Sequence, residues 1–226
     1  MLRLAGLVAA AQVWLATPGF SQSQVYDAAP PRGSAYVRLV NGLPGEVSAR
    51  PDFLPQQRLG TGVAERAMPF TVVENVANRQ LRLEFQEGQR RGTATFRAEA
   101  GSFTTVLLHA TADGNITATA ITDAADFNRA RSRLAFYNGL PDCPAAALTL
   151  LPSGPAVFED VPSLQTRSRS VTPVEAQVRA SCGTRNAAPV ALQGLEAGGM
   201  YSVWLIGAGT NIGAFVTRDT TARYRP

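Results

Sequence analysis

Residues 38–44 read RLVNGLP, and residues 133–141 read RLAFYNGLP. Each is an apolar, strand-like run closed by the same Asn-Gly-Leu-Pro exit. Asn41 and Asn138 are 97 residues apart. If the second copy opens a second domain, other segments must return at that offset, and they do. Residues 99–108, EAGSFTTVLL, align with residues 196–205, EAGGMYSVWL. Gln80-Leu81-Arg82 aligns with Gln177-Val178-Arg179. Near the end the offset shortens by one: Asn115-Ile116 meets Asn211-Ile212, and Asp123 meets Asp219. One deletion in a loop explains the slip. A solenoid unit usually spans about 20–50 residues, so this period suits a duplicated small domain instead.

Working outward, the chain reads as short strands between turns. Its 226 residues include 20 Gly and 15 Pro, a composition that favours turns over long helices. Strands are expected at 34–40, 47–54, 70–74, 81–85, 93–98, 104–110 and 115–122, where β-branched and aromatic residues cluster or alternate with polar ones. Pro51 confines the second to a sheet edge or bulge. In the first, Ala35, Val37 and Leu39 share one face and Tyr36, Arg38 and Val40 the other. Asn41-Gly42 reads as a pair suited to positive φ, and Pro44 stops the strand. Residues 56–66 read as loop, 86–92 as a turn, and Asp113-Gly114 as a hairpin. The second cycle is expected at 133–137, 147–151, 156–158, 169–171, 176–182, 190–192, 200–206 and 212–217, with Gly207 and Gly209 marking its last hairpin. The fold class that follows is all-β: two tandem small antiparallel β-sandwich domains, jelly-roll or immunoglobulin-like, from an internal duplication. They are expected at 33–122 and 133–226. Between them, 123–132 (DAADFNRARS) reads as a short helix or structured linker.

The first residues, MLRLAGLVAAAQVWLATPGFSQSQ, combine Arg3, an apolar run to Ala16 and the small-x-small site Gly19-Phe20-Ser21. This pattern reads as an export signal over 1–21, followed by an extended, proline-rich leader over 22–32. The competing readings are a buried strand or an uncleaved anchor; the apolar run is short for a membrane span, and a polar segment follows at once.

The formal charge is +4, and every basic residue is Arg. The excess is small and scattered, with groups at Arg129, Arg131 and Arg133 and at Arg167 and Arg169 that read as solvated faces. They allow weak steering of an anionic partner; no recognition helix or motif points to nucleic acid. The two cysteines, Cys143 and Cys182, both lie in the second repeat, and in an exported chain they are expected to form a disulfide. Reduction is then expected to lower the melting temperature of the second domain more than that of the first.

Catalytic constellations are not legible. The single histidine, His109, ends an apolar strand with no triad partner in view. There is no Gly-x-Ser-x-Gly elbow. Asp123, Asp126, Asp142 and Asn115 lack the spacing of a calcium loop. No cofactor and no metal is expected. Tyr201 and Trp204 are the aromatics that stand out: one is expected to serve the core and the other a domain seam or partner interface.

The stretch Pro31-Arg-Gly-Ser-Ala-Tyr-Val-Arg-Leu-Val-Asn41 resembles the AlgF family of periplasmic proteins required for O-acetylation of alginate. The family pattern sets a YxxxxPxG leader before SAxVRxxN, and Tyr26, Pro31, Gly33, Ser34, Ala35, Val37, Arg38 and Asn41 match it. The second copy, RLAFYN, has lost the arginine before Asn138. The resemblance implies two β-sandwich domains and a periplasmic location. It also implies a non-catalytic adaptor beside polysaccharide O-acetyltransferases and export-complex proteins. The binding candidates are Tyr36, Arg38, Asn41, Arg133, Asn138, Tyr201 and Trp204. The alternative is a polysaccharide-binding or structural envelope β-sandwich protein; a direct acetyl transferase or esterase is the third reading.

Overall fold

A computed structural model describes residues 29–123 and 129–225. The export signal, most of the leader including Tyr26, and the middle of the inter-repeat segment lie outside the described residues. The protein is almost entirely β-strand, arranged in four open sheets. In the first half, β1 (Ala35–Asn41), β4 (Thr71–Val73), β7 (Phe103–Ala110) and β8 (Ile116–Asp123) form one sheet in the order β4-β1-β7-β8. A second sheet, β3-β2-β5-β6, is built from β2 (Val47–Pro51), β3 (Gln57–Leu59), β5 (Leu81–Glu87) and β6 (Arg90–Phe96). In the second half, β9 (Ser132–Asn138), β12 (Gln165–Val171), β16 (Met200–Ala208) and β17 (Asn211–Arg218) repeat the first arrangement as β12-β9-β16-β17. The last sheet, β11-β10-β13-β14, holds β10 (Ala146–Leu150), β11 (Ala156–Val161), β13 (Ala176–Cys182) and β14 (Arg185–Asn186). A further strand, β15 (Val190–Leu192), pairs with β13. Among the described residues the one short helix, α1 (Val63–Arg66), falls with β3 in the stretch expected to be loop. β5 and β6 also run further than expected, closing the turn to Gly88-Gln89, where Gly88 takes φ +57°. Among the described residues no helix is long and apolar enough to cross a membrane.

The pairing departs from the antiparallel expectation at two places. β1 runs parallel to β7, and β9 parallel to β16. A parallel pair needs a long crossover, and here the strands of the opposite sheet supply it. The registers recur at the sequence offset. Tyr36 faces Phe103 and Arg133 faces Met200; Ala49 faces Phe85 and Ala146 faces Cys182. The slip of one residue falls in the β7–β8 hairpin, since Leu108 faces Ala118 while Leu205 faces Ala214.

Three apolar clusters hold these sheets. Leu39, Leu43, Leu81, Leu83, Phe85 and Val106 fill the space between the first two. Leu134, Phe136, Leu140, Leu148, Val178 and Val203 do the same in the second half. A third cluster, with Val40, Leu107, Tyr137, Trp204, Ile206 and Phe215 at its centre, joins the β1 sheet of the first half to the β9 sheet of the second. The central strands β1, β7, β9 and β16 are therefore covered on both faces, which is why they read as nearly continuous apolar runs.

The Asn-Gly-Leu-Pro repeat is a corner, not a hairpin turn. Asn41 accepts the Leu43 N–H on Oδ1 at 2.9 Å, while its Nδ2 donates to the carbonyls of Gly45, Leu59 and Gly60. Asn138 does the same with the Leu140 N–H and the carbonyls of Cys143 and Val161. The leucine then drops into the core. The glycine is not needed for positive φ, for neither Gly42 nor Gly139 adopts it. It is needed for close approach. A Cβ on Gly139 would sit 2.8 Å from the Leu205 carbonyl oxygen and 3.0 Å from Leu107 in the seam. Gly139→Ala is therefore expected to destabilise the protein by about 1–3 kcal/mol through overpacking, measured by denaturant unfolding. A loss below a few tenths would show that the corner yields.

Candidate functional site

A buried polar network lies inside the seam between the two halves. β1 carries Arg38 to its centre, where the side chain is 2% exposed. Burying a guanidinium is costly unless its donors are matched, and every nitrogen of Arg38 has a partner. Nη1 donates to Asp219 at 2.6 Å, Nε to the Thr105 hydroxyl at 2.8 Å, and Nη2 to the hydroxyls of Tyr137 and Ser202 at 2.9 and 3.3 Å. The hydroxyls pass the interaction on. Thr105 donates to Asp123 at 2.8 Å, Ser202 to Asp219 at 2.7 Å, and Tyr137 to Asp123. Aromatic faces complete the enclosure: Arg38 lies 4.2 Å from the Phe70 ring centroid and 5.0 Å from that of Trp204. Cation–π attraction of this kind strengthens when the pair is desolvated.

The repeat explains the arrangement. Thr105 and Ser202 are equivalent at the offset of 97, and Asp123 and Asp219 at the offset shortened by one. Each half thus contributes a hydroxyl–carboxylate pair. Only one half contributes the arginine, because its counterpart is Ala135, which lies in the seam cluster and leaves room for the single guanidinium. The C-terminal segment straps the seam from outside. The Phe70 N–H donates to the Thr220 carbonyl at 2.8 Å, the Ala222 N–H returns to Phe70, and the Tyr224 hydroxyl reaches Glu74 at 2.6 Å.

The candidates named from sequence are mostly interior. Arg38 and Trp204 lie in the seam, where Trp204 stacks on Tyr137 with centroids 3.9 Å apart and donates its indole N–H to Thr217. Tyr201 belongs to the second core, its hydroxyl donating to the Gly194 carbonyl and accepting the Glu196 N–H. Asn41 and Asn138 are the corner residues already described. Arg133 is buried beside Asp123, not on a solvated face as expected, and its Nε and Nη2 have no hydrogen-bond partner. Tyr36, half-buried, stacks on Phe103 at 4.5 Å. Apart from the unpaired donors of Arg133 and the half-exposed ring of Tyr36, these side chains are engaged with the protein itself, because the central strands are covered on both faces. Sequence reasoning missed Thr105, Asp123, Ser202 and Asp219 as a group, although their recurrence in the two repeats was the available signal.

Cys143 and Cys182 form a disulfide across the second corner. In the first half the equivalent corner is held by Glu87, whose carboxylate accepts the Gly45 N–H at 2.6 Å and pairs with Arg90. His109 is buried, with Nε2 2.9 Å from the Thr119 hydroxyl, and burial lowers its pKa. Among the described residues no group of three or more His, Cys, Asp or Glu side chains is placed to hold a metal. Asp142 instead pairs with Arg185 at 2.8 Å, and Asp126 lies outside the described residues. A cleft of about 450 Å³ opens beside the network over Arg38 and Asp219, with walls from Ala67, Met68, Pro69 and Val216.

The outer face of the β3-β2-β5-β6 sheet is different in kind. Arg58, Ser48, Gln86 and Arg91 form one row across its four strands. Arg50, Glu84 and Thr93 form the next, and Gln56 hydrogen-bonds both Ser48 and Arg50. A shallow groove of about 360 Å³ runs over Ser48, Arg50, Gln86, Arg91 and Thr93. Comparison with known protein families and with curated proteins finds no match for the chain.

Proposed function

We propose that this protein is a non-catalytic structural and polysaccharide-binding β-protein of the cell envelope, which works by presenting its outer sheet faces from a rigid two-part body. The observation that carries the reading is the contrast between interior and exterior. Most polar groups of the seam pair with one another, while the β3-β2-β5-β6 face offers guanidinium, hydroxyl and amide groups to solvent, with Arg58 also paired to Glu46 and Arg82 to Glu84. Adjacent strands lie about 4.8 Å apart, so successive groups of the Arg58–Arg91 row can meet successive hydroxyl and carboxylate groups of an extended acidic polymer. Two tandem β-sandwich domains, related by duplication and meeting near 123–132, are the architecture proposed for this body. The repeated sheet order and register support it. The strands run one residue into each end of that linker, and the C-terminal strap crosses to the first half, so the units are joined by more than a linker.

A polymer titration tests the reading. Mature protein should show saturable binding to an acidic polysaccharide, weakened by salt. Arg58→Ala with Arg91→Ala should lower the affinity by about tenfold, equivalent to about 1.4 kcal/mol, without changing the melting temperature. Absence of saturable binding would remove the reading.

The adaptor role implied by the AlgF resemblance is the second reading. Its supporting observation is that Ala35, Val37, Arg38 and Asn41, which carry the motif, are the residues that build the first strand, its corner and the seam. Under it, mature protein retains polysaccharide O-acetyltransferases in a native pull-down and ignores the polymer.

A further inference from the structure

We propose that the seam is a proton-linked clamp: Asp123 takes up one proton within the folded protein in mildly acidic solution, and the two halves hold together more firmly for it. This goes beyond the binding reading and does not depend on it. The geometry is unequal. Asp123 and Asp219 are each 7% exposed. They occupy equivalent positions, yet their pairing is unequal: Arg38 makes its direct ion pair with Asp219, while the second buried guanidinium, Arg133, lies beside Asp123 with its Nε and Nη2 unbonded. Asp123 meets Arg38 only through the Thr105 and Tyr137 hydroxyls. The charged and titratable groups around it are Arg38 on β1, Arg133 and Tyr137 on β9, and Asp219 beyond β17, with Thr105 on β7 as the remaining polar neighbour.

Burial disfavours the charged carboxylate and is the largest influence; Asp219 adds like-charge repulsion, while Arg38, Thr105 and Arg133 oppose. Burial prevails, and the Asp123 carboxyl is raised from 3.8 to about 6. The neutral form keeps the hydroxyl donor on its unprotonated oxygen, while its protonated oxygen can donate to the other hydroxyl, whose own hydrogen then turns away from Asp123. The sign of the linkage follows. A carboxyl whose folded pKa lies above its unfolded value binds its proton more tightly when folded. Its stabilising contribution is complete below about pH 4 and is lost as pH rises through about 6, so acidification from neutral into this window favours the folded protein. The full span corresponds to a gain on the order of a hundredfold in the folding constant from this group.

Carboxyl carbon NMR of aspartate-labelled protein reads the proton directly. One aspartate should titrate with a midpoint near 6, and its signal should vanish in Asp123→Asn. Thermal unfolding at a series of pH values between neutral and about 5 supplies the second measurement. Relative to Asp123→Asn, the wild-type protein should gain stability as the pH falls. An Asp123 midpoint at or below about 4, or wild-type and Asp123→Asn curves that stay parallel across the range, would overturn the proposal. The wild-type titration stands even if the variant folds poorly.

Discussion

Arg38→Ala is expected to cost roughly 3–5 kcal/mol of folding stability at neutral pH, the range for breaking a buried ion pair by removing one partner. The loss is large because the arginine serves both halves. Its removal strands the Asp219 carboxylate, which is 1% exposed at the side chain, and takes the opposing cation away from Asp123. It also leaves Thr105, Tyr137 and Ser202 without the donor they accept from, and opens space between Phe70 and Trp204. Asp219→Asn in the Arg38→Ala background should recover part of the loss, since the stranded charge is then gone; a double-mutant cycle measures the coupling. Denaturant unfolding of the four proteins gives the result. A loss below about 1 kcal/mol for Arg38→Ala would mean that water reaches the seam and replaces the guanidinium.

Reduction of the Cys143–Cys182 bond is expected to remove about 4 kcal/mol, the chain-entropy value for a sequence separation of 39 residues. For a protein of this size that is a fall of roughly 10 °C in melting temperature. The sequence alone points to a larger fall in the second domain than in the first. The tertiary structure points elsewhere: the seam cluster, the Arg38 network and the C-terminal strap tie the halves together, so both should melt in one transition before and after reduction. Calorimetry with and without reductant decides between them. Two separated transitions, with only the upper or lower one moved, would show that the halves unfold independently.

Much of the fold was legible because local chemistry determined it. The alternation of Leu81, Leu83 and Phe85 with Arg82 and Glu84 marks a strand with one buried face. Gly88, Gly114, Gly207 and Gly209 mark turns, and all four take positive φ. The internal repeat located corresponding strands, and the cysteine pair located the covalent link. The positive-φ reading of Asn41-Gly42 did not hold, because Gly42, like Gly139, answers to a packing distance from a strand far along the chain. Residues 56–66 were read as loop because β3 spans only Gln57–Leu59 and α1 only Val63–Arg66, too short to show a period.

The sequence by itself determined most of the longer strands, their order of recurrence and the faces that alternate apolar with polar. The tertiary structure decided what the second faces of β1, β7, β9 and β16 are for. Read singly, Arg38, Arg133, Tyr137 and Trp204 are polar or aromatic residues on otherwise apolar strands, equally suited to solvent or to a partner. Only when two sheets meet do Arg38 and Asp219, 181 residues apart, come within 2.6 Å and share a buried charge. Strand formation follows from side-chain alternation along a few residues, whereas the pairing of a buried charge depends on which distant surface excludes the water.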